Sequence, residues 1–244
     1  MSDYSDYFTV VYEDNHLIVV NKQSGVLVQG DKTGDAPLSD YVKEYLKEKY
    51  NKPGNVFAGV VHRLDRPVSG LVILARTSKA LERMNQLFKD REIQKTYWAI
   101  VKNKPKAEQG KLIHWLIKDT EKNVTTAHNK DIKEGLRSEL DYQLLERIND
   151  YYLLEVKPLT GRPHQIRVQL ASMGCPIKGD VKYGYKDMAP DSSISLHARK
   201  VSFMHPVKKE LLRLTAPVPN NESWRAFRKA LEGRIDTESL DNFE

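Results

Sequence analysis

The sequence predicts an α+β fold, a mixed but largely antiparallel sheet flanked by helices and loops. Three observations predict it. Strand-like runs of β-branched and aromatic residues outnumber segments with helical spacing. Neighbouring runs are joined by brief turn signals, such as Glu13-Asp14-Asn15 and Asn149-Asp150, which suit antiparallel pairs better than crossovers. No internal repeat and no separating linker divides the chain, so residues 1–244 are expected to form one domain.

The elements follow in order. Phe8 to Tyr12 and Leu17 to Val20 read as a hairpin. Asn21 to Gly25 is a turn, Val26 to Val28 is expected to continue as strand, and Gly30 to Pro37 is loop. Leu38, Tyr41, Val42, Tyr45 and Leu46 recur at helical spacing up to about Tyr50, where Lys52-Pro53-Gly54-Asn55 breaks the pattern. Leu71 to Ala75 is an apolar strand. Ser78 is expected to cap a helix with Leu81, Met84, Leu87 and Phe88 on one face. Its other face carries Lys79, Arg83, Lys89 and Arg91, which suits ordinary solvation and RNA contact equally. Thr96 to Val101 is strand, and Lys102 to Gly110 is a polar turn. Lys118 to Arg137 lacks periodicity and reads as an irregular or mobile insert. Leu140 to Leu145 and Tyr151 to Val156 are strands. Pro163 is expected as a first helical residue, with Ile166, Leu170 and Met173 as the core stripe and Gly174 as the stop. Cys175 to Tyr185 is a Gly-rich loop, Leu196 to Phe203 and Leu211 to Ala216 are strands, and Trp224 to Leu231 is a short helix.

Composition narrows the class of function. Hydrophobic residues at 40% and charged residues at 30% suit a soluble globular protein with a real core. No apolar run approaches membrane-spanning length, and the acidic N-terminus does not read as a signal peptide. The lone Cys175 excludes an intramolecular disulfide and an all-cysteine metal cage, which fits a reduced cytoplasmic setting. A net charge of +6 points to a polyanion partner, RNA or DNA before a membrane surface. Basic residues crowd from Arg76 to Lys111, whereas the tail from Asp236 to Glu244 is acidic.

The stretch richest in chemistry is Val61-His62-Arg63-Leu64-Asp65-Arg66-Pro67-Val68-Ser69-Gly70. It presents a carboxylate, Asp65, at the mouth of the apolar strand, with guanidinium groups on either side. Pro67 and Gly70 restrict the backbone around it. A second dense stretch is Gly161-Arg162-Pro163-His164-Gln165-Ile166-Arg167, in which His164 and Arg167 are three apart and expected on one helix face.

Together these blocks resemble the RluA type of RNA pseudouridine synthases. His62-Arg63-Leu64-Asp65 with Ser69-Gly70 looks like the active-site motif of that family, and Lys95-Thr96-Tyr97 resembles its Lys-x-Tyr strand. Asn21-Lys22 with Ser24-Gly25, the Gly161 to Arg167 block, Pro176 to Gly184 and Leu196-His197-Ala198 follow in the family's order. The likeness runs from about residue 10 to 219. Gln23, Val68 and Gln169 depart from residues usual in the family, and bear on loop geometry more than on the carboxylate. The resemblance implies a pseudouridine synthase-like catalytic domain without the S4-type N-terminal domain that many relatives carry. Recognition of the RNA target is then expected from the catalytic domain itself.

The resemblance also implies roles. Asp65, Tyr97 and Arg167 are the expected catalytic residues. His62, Arg63, Arg162, His164, Gln165 and His197 are expected to bind substrate. The reaction breaks the uracil–ribose bond, turns the base and rejoins it through a ring carbon. A single carboxylate can attack a carbon directly or stabilise an oxocarbenium-like sugar, and a closed site keeps water out. Burial would neutralise a lone carboxylate, and an Arg held against it keeps it charged. The resemblance gives that place to Arg167. Tyr97 offers a planar face for uracil and a hydroxyl, so both a base and a stacking platform stay open. Arg63 is expected to fill the stack left by an extruded uridine, with a phosphate contact as the rival role. No cofactor and no metal is implied, since His62, His164 and His197 lack metal-ligand spacing. The expected partner is structured rRNA or tRNA, with no membrane, and the protein is expected to act as a monomer. A catalytically silent RNA binder on the same scaffold and a metal-dependent hydrolase using His62 and Asp65 are the rival readings.

Overall fold

The computed structural model of the chain describes residues 2–31 and 33–238. The far end of the acidic tail, residues 239–244, lies outside them. Contacts divide the chain into two compact units, residues 1–97 with 189–217, and residues 98–188 with 218–244.

In the first unit, β1 (Phe8–Glu13) and β2 (Leu17–Lys22) form the expected hairpin, with an irregularity between Val10 and Tyr12. β2 pairs antiparallel with β4 (Ser69–Ala75), from Leu17 opposite Ala75 to Lys22 opposite Gly70, and the short β3 (Gly59–Val60) also pairs with β4. All seven residues of β4 are buried, which is why its sequence reads as a continuous apolar run. β4 pairs in parallel with β10 (Leu196–Met204), and β10 pairs antiparallel with β11 (Leu211–Thr215). The sheet is thus mixed, as expected. Helix α1 (Leu38–Lys49) buries Leu38, Val42, Tyr45 and Leu46. Helix α2 (Ser78–Lys89) lays Ala80 and Met84 on a core of Leu17, Ile73 and Phe203.

Two local expectations change here. The cap of α2 is Thr77, whose Oγ1 accepts the Ala80 N–H at 3.1 Å, and Ser78 is the first helical residue. Val26 to Val28 forms no strand. The Val26 carbonyl accepts from Lys22 Nζ and the Leu27 carbonyl accepts the Leu38 N–H, so these groups are used before a ladder could claim them.

The second unit takes Trp98–Val101 from the end of β5 (Gln94–Val101), followed by β6 (Gln109–Asp119), β7 (Val124–His128), β8 (Leu136–Ile148) and β9 (Tyr151–Pro158). The order is β5-β9-β8-β6-β7, antiparallel from β9 to β7. The insert expected to be irregular therefore holds a strand. β7 pairs with β6 from Trp115–His128 to Asp119–Val124. Its five residues are too few, and too polar, to show a period. Helix α4 (Glu222–Glu238) runs longer than expected and packs Trp224, Phe227 and Leu231 on Trp98, Ile100 and Leu153.

Helix α3 (Gln165–Ser172) starts later than expected. His164 sits before it in the left-handed region, φ 55°, so Pro163 lies outside the helix. Residues 165–170 are all buried. Met173 is the C-cap, and Gly174 takes φ +83°, ending the helix as expected.

Candidate active site

Within the first unit, the Asp65 loop is tied down at successive points. The Asp65 carbonyl accepts the Val68 N–H at 3.0 Å, closing a turn. The next carbonyl, Arg66 O, accepts the Gly25 N–H at 2.8 Å, and Pro67 O accepts the Ile194 N–H at 3.1 Å. Arg66 Nε returns to Gly25 O at 2.9 Å. At the loop's end, Gly70 adopts φ +115°. A Cβ there would lie 2.4 Å from Ala198 O and 2.5 Å from Ala198 N, so the parallel pairing of β4 with β10 requires glycine.

His197 explains the neighbouring serine. The ring is 0% exposed, with Nδ1 2.9 Å from Ser69 Oγ and Nε2 3.4 Å from Ala216 O. The carbonyl can only accept, so Nε2 carries the proton and Ser69 donates to Nδ1. Burial pushes the His197 pKa down to about 3, and the ring is neutral. The RNA contact expected of His197 gives way to an internal brace, since a ring with no exposed surface cannot touch a substrate. His62 is also engaged. Its Nε2 accepts the Ile73 N–H at 3.0 Å and its ring stacks on Phe88 at 5.0 Å. Burial and the nearby Lys95 charge push its pKa down to about 3. A nitrogen already holding a backbone N–H is unavailable to a metal, and among the described residues no three His, Cys, Asp or Glu side chains converge as a metal site.

Tyr97 lies in the first unit with Asp65. Burial first, and then the Asp65 charge, raise the pKa of the Tyr97 phenol, so it keeps its proton at neutral pH. Arg63 is exposed, two residues before the carboxylate.

Lys22 carries a role that sequence reasoning missed. It entered only as part of a turn motif, yet it is 0% exposed. Its Nζ donates to Gln23 O and Val26 O at 2.8 Å each, and to Arg66 O at 3.3 Å. Three carbonyls match the three donors of an ammonium. Burial pulls its pKa down to about 7, opposed by the Asp65 carboxylate, which favours the charged form. Lys22 thus joins the turn after β2 to the Asp65 loop and places a cation in the field of the carboxylate. The only sequence signal for this is a lysine ending a fully buried strand.

The second unit holds the other expected residues. Arg167 grips Asp180 with two bonds, Nε to Oδ2 at 2.7 Å and Nη2 to Oδ1 at 2.8 Å, and its guanidinium lies 5.0 Å from the Tyr183 ring centroid. The Tyr183 hydroxyl accepts the Thr125 N–H at 2.8 Å and shares a second hydrogen bond with His164 Nδ1 at 2.7 Å. Thr125, on β7, also donates to Pro163 O at 3.1 Å. That over-determined setting holds His164 in its left-handed conformation. Gln165 is spent on its own loop. Its Oε1 accepts from Thr160 Oγ1 and the Arg162 N–H, at 2.8 and 3.0 Å, and its Nε2 donates to Glu139 O at 3.0 Å. This corrects the expected substrate contact of Gln165 to a structural one. Arg162 is half-buried.

Residues 16–172 match the profile of the family described as RNA pseudouridylate synthase. The ribosomal large subunit pseudouridine synthase C of Rickettsia prowazekii is 32% identical over 217 residues, covering 88% of this chain and 69% of the relative. The protein of the same name from Vibrio cholerae is 33% identical over 86% of this chain and 65% of its own length. This chain thus spans about two thirds of their length. The human protein RNA Pseudouridylate Synthase Domain Containing 4 shares the fold, with a TM-score of 0.73, 23% identity and 91% of each chain covered. From residues, fold and relatives alike, the chain belongs to the RNA pseudouridylate synthase family.

Proposed function

We propose that this chain forms pseudouridine in ribosomal RNA, with the Asp65 carboxylate as nucleophile and Tyr97 and Arg167 as its catalytic partners. Membership in the family makes it an isomerase acting on RNA, which sets aside the silent binder and the metal-dependent hydrolase. Ribosomal RNA is preferred over tRNA because the relatives at 32–33% identity are named for the large ribosomal subunit. Such a substrate is met in the cytoplasm.

The observation that carries the assignment of Asp65 is the fixing of its loop by backbone bonds and Lys22, in the same unit as the Tyr97 phenol that senses its charge. A nucleophile so restrained loses little entropy on reaching the ribose. The step is an isomerisation. The bond from ribose C1′ to uracil N1 breaks, C1′ joins uracil C5, the C5 proton leaves, N1 gains one, and the carboxylate is regenerated without a cofactor. A protonated Tyr97 serves as a planar wall and hydrogen-bond donor. Arg63, exposed beside Asp65, takes the place of the extruded base, while Arg162 and His164 contact the RNA. The two units act as one catalytic domain.

The test is Asp65→Asn, which keeps size and removes charge. Incubated with ribosomal RNA lacking the modification, the wild type should yield pseudouridine detectable by chemical labelling, and the variant none. Substantial turnover by the pure variant refutes the assignment.

A further inference from the structure

Beside Tyr97 the first unit has a shallow recess of about 10 Å³, room for little more than a water molecule, whose walls include His62, Phe88, Lys95 and Lys200. Its chemistry is one-sided. Two lysines line it and no acidic residue does. Lys95 sits on the same face of β5 as Tyr97, two residues earlier. It is half-buried, with Nζ 5.7 Å from the centroid of the Phe88 ring. Lys200, on β10, stands exposed at the rim. Burial alone lowers the pKa of Lys95, and no carboxylate raises it. His62, also in its walls, is neutral, its pKa pushed down by burial first and then by the Lys95 charge. A half-buried ammonium without a counter-ion is costly unless an anion arrives to share it.

We propose that Lys95 and Lys200 form a subsite for a backbone phosphate of the RNA, next to the nucleotide that enters against Tyr97. The inference rests on the proposed function, which puts the target uridine at Tyr97 and brings a polyanion to this surface. It also answers a difficulty of that chemistry. The Asp65 carboxylate repels the phosphates that flank the target, and a cationic pair beside Tyr97 offsets that repulsion where the strand must pass. Two lysines suit this use, since each acts as a point charge with rotatable donors and needs no fixed fork.

Counterion release provides the test. Affinity for a fluorescein-labelled single-stranded oligouridylate is measured from low to moderate salt for wild type, Lys95→Met, Lys200→Met, the double variant Lys95→Met/Lys200→Met, and Lys95→Arg. Each neutralised single-strand phosphate contributes about 0.7 to the slope of log affinity against log salt. Lys95→Met and Lys200→Met should each make the slope shallower, and the double variant shallower by about 0.7 in all. Lys95→Arg should keep the wild-type slope. Lys200 is exposed, so its replacement reads the subsite even if Lys95→Met fails to fold. Wild-type slopes in Lys200→Met and in folded Lys95→Met overturn the subsite. Pseudouridine formation by the same wild-type preparation on unmodified ribosomal RNA separates the two readings. Its presence with unchanged slopes removes the subsite alone. Its absence with shallower slopes removes the proposed function and retains Lys95 and Lys200 as phosphate contacts.

Discussion

Removing the Asp180 carboxylate should cost the second unit several kcal/mol and slow the chemical step. The reasoning starts from burial. The Arg167 and Asp180 side chains are 6% and 1% exposed, and they share two bonds of 2.7 and 2.8 Å. Such a pair contributes little compared with an apolar pair of the same shape, because desolvation offsets the Coulomb gain. Truncating one member is different. Asp180→Ala leaves a buried guanidinium without its bidentate acceptor, a loss of roughly 3–5 kcal/mol. Such a loss is a large fraction of a domain stability of about 5–15 kcal/mol, so it is readily measured. Asp180→Asn is a graded control. Its Oδ1 can still accept from Nη2, but its amide NH₂ then faces the Nε–H, donor against donor, so much of the loss remains. Urea unfolding at constant m reads both variants. Single-turnover rate should fall further than RNA affinity, because Arg167 loses a bidentate bond that helps to orient it. An Asp180→Ala loss below about 1 kcal/mol would refute the argument, since it would mean that the pair does not constrain the buried guanidinium.

Three other outcomes follow from the first unit. Gly70→Ala should destabilise by about 3 kcal/mol or more, from a Cβ at 2.4 Å from Ala198 O and an L-residue at φ +115°, and a melting temperature equal to wild type would contradict the close approach. Arg63→Ala should slow reaction on a stem-loop with a stacked target far more than on one whose target is already extruded, whereas equal losses, with a shallower salt slope, would make Arg63 a phosphate contact. Stability should fall as pH drops from about 6.5 toward 3. The unfolded chain protonates His197 below 6.5, while the folded ring resists until about 3, so the unfolded state binds more protons in that window. His62 is depressed to the same range, so His197→Gln should flatten the slope only in part, and an unchanged slope in urea titrations would place the His197 ring in a wetter setting.

Much of the fold and of the site was legible in local pattern. The continuous apolar run of β4 announced a strand buried on both faces, and the spacing of Leu38, Val42, Tyr45 and Leu46 announced α1. The restriction of the backbone at Gly70 was legible in residue type, whereas Tyr97 and Arg167 were singled out only through the resemblance of their motifs to a known family. Other features had no local signature. Ser78 is by residue type at least as good a cap as Thr77, and only backbone geometry chose Thr77. The left-handed His164 that shortens α3 is held through Tyr183 and Thr125, 19 and 39 positions away by residue number. His197 and Gln165 resembled substrate ligands in sequence, but His197 is buried against Ser69 and Ala216, and Gln165 is buried with a bond to Glu139 on a remote strand. Lys22 is the clearest instance. Its own neighbours make it an ordinary strand-end lysine, whereas the Arg66 carbonyl and the Asp65 charge, brought in across more than forty residues, make it a buried cation of the site. Residue types and their periods are written into the chain. Which polar atoms lose water, and which partners replace it, is settled only when remote segments meet.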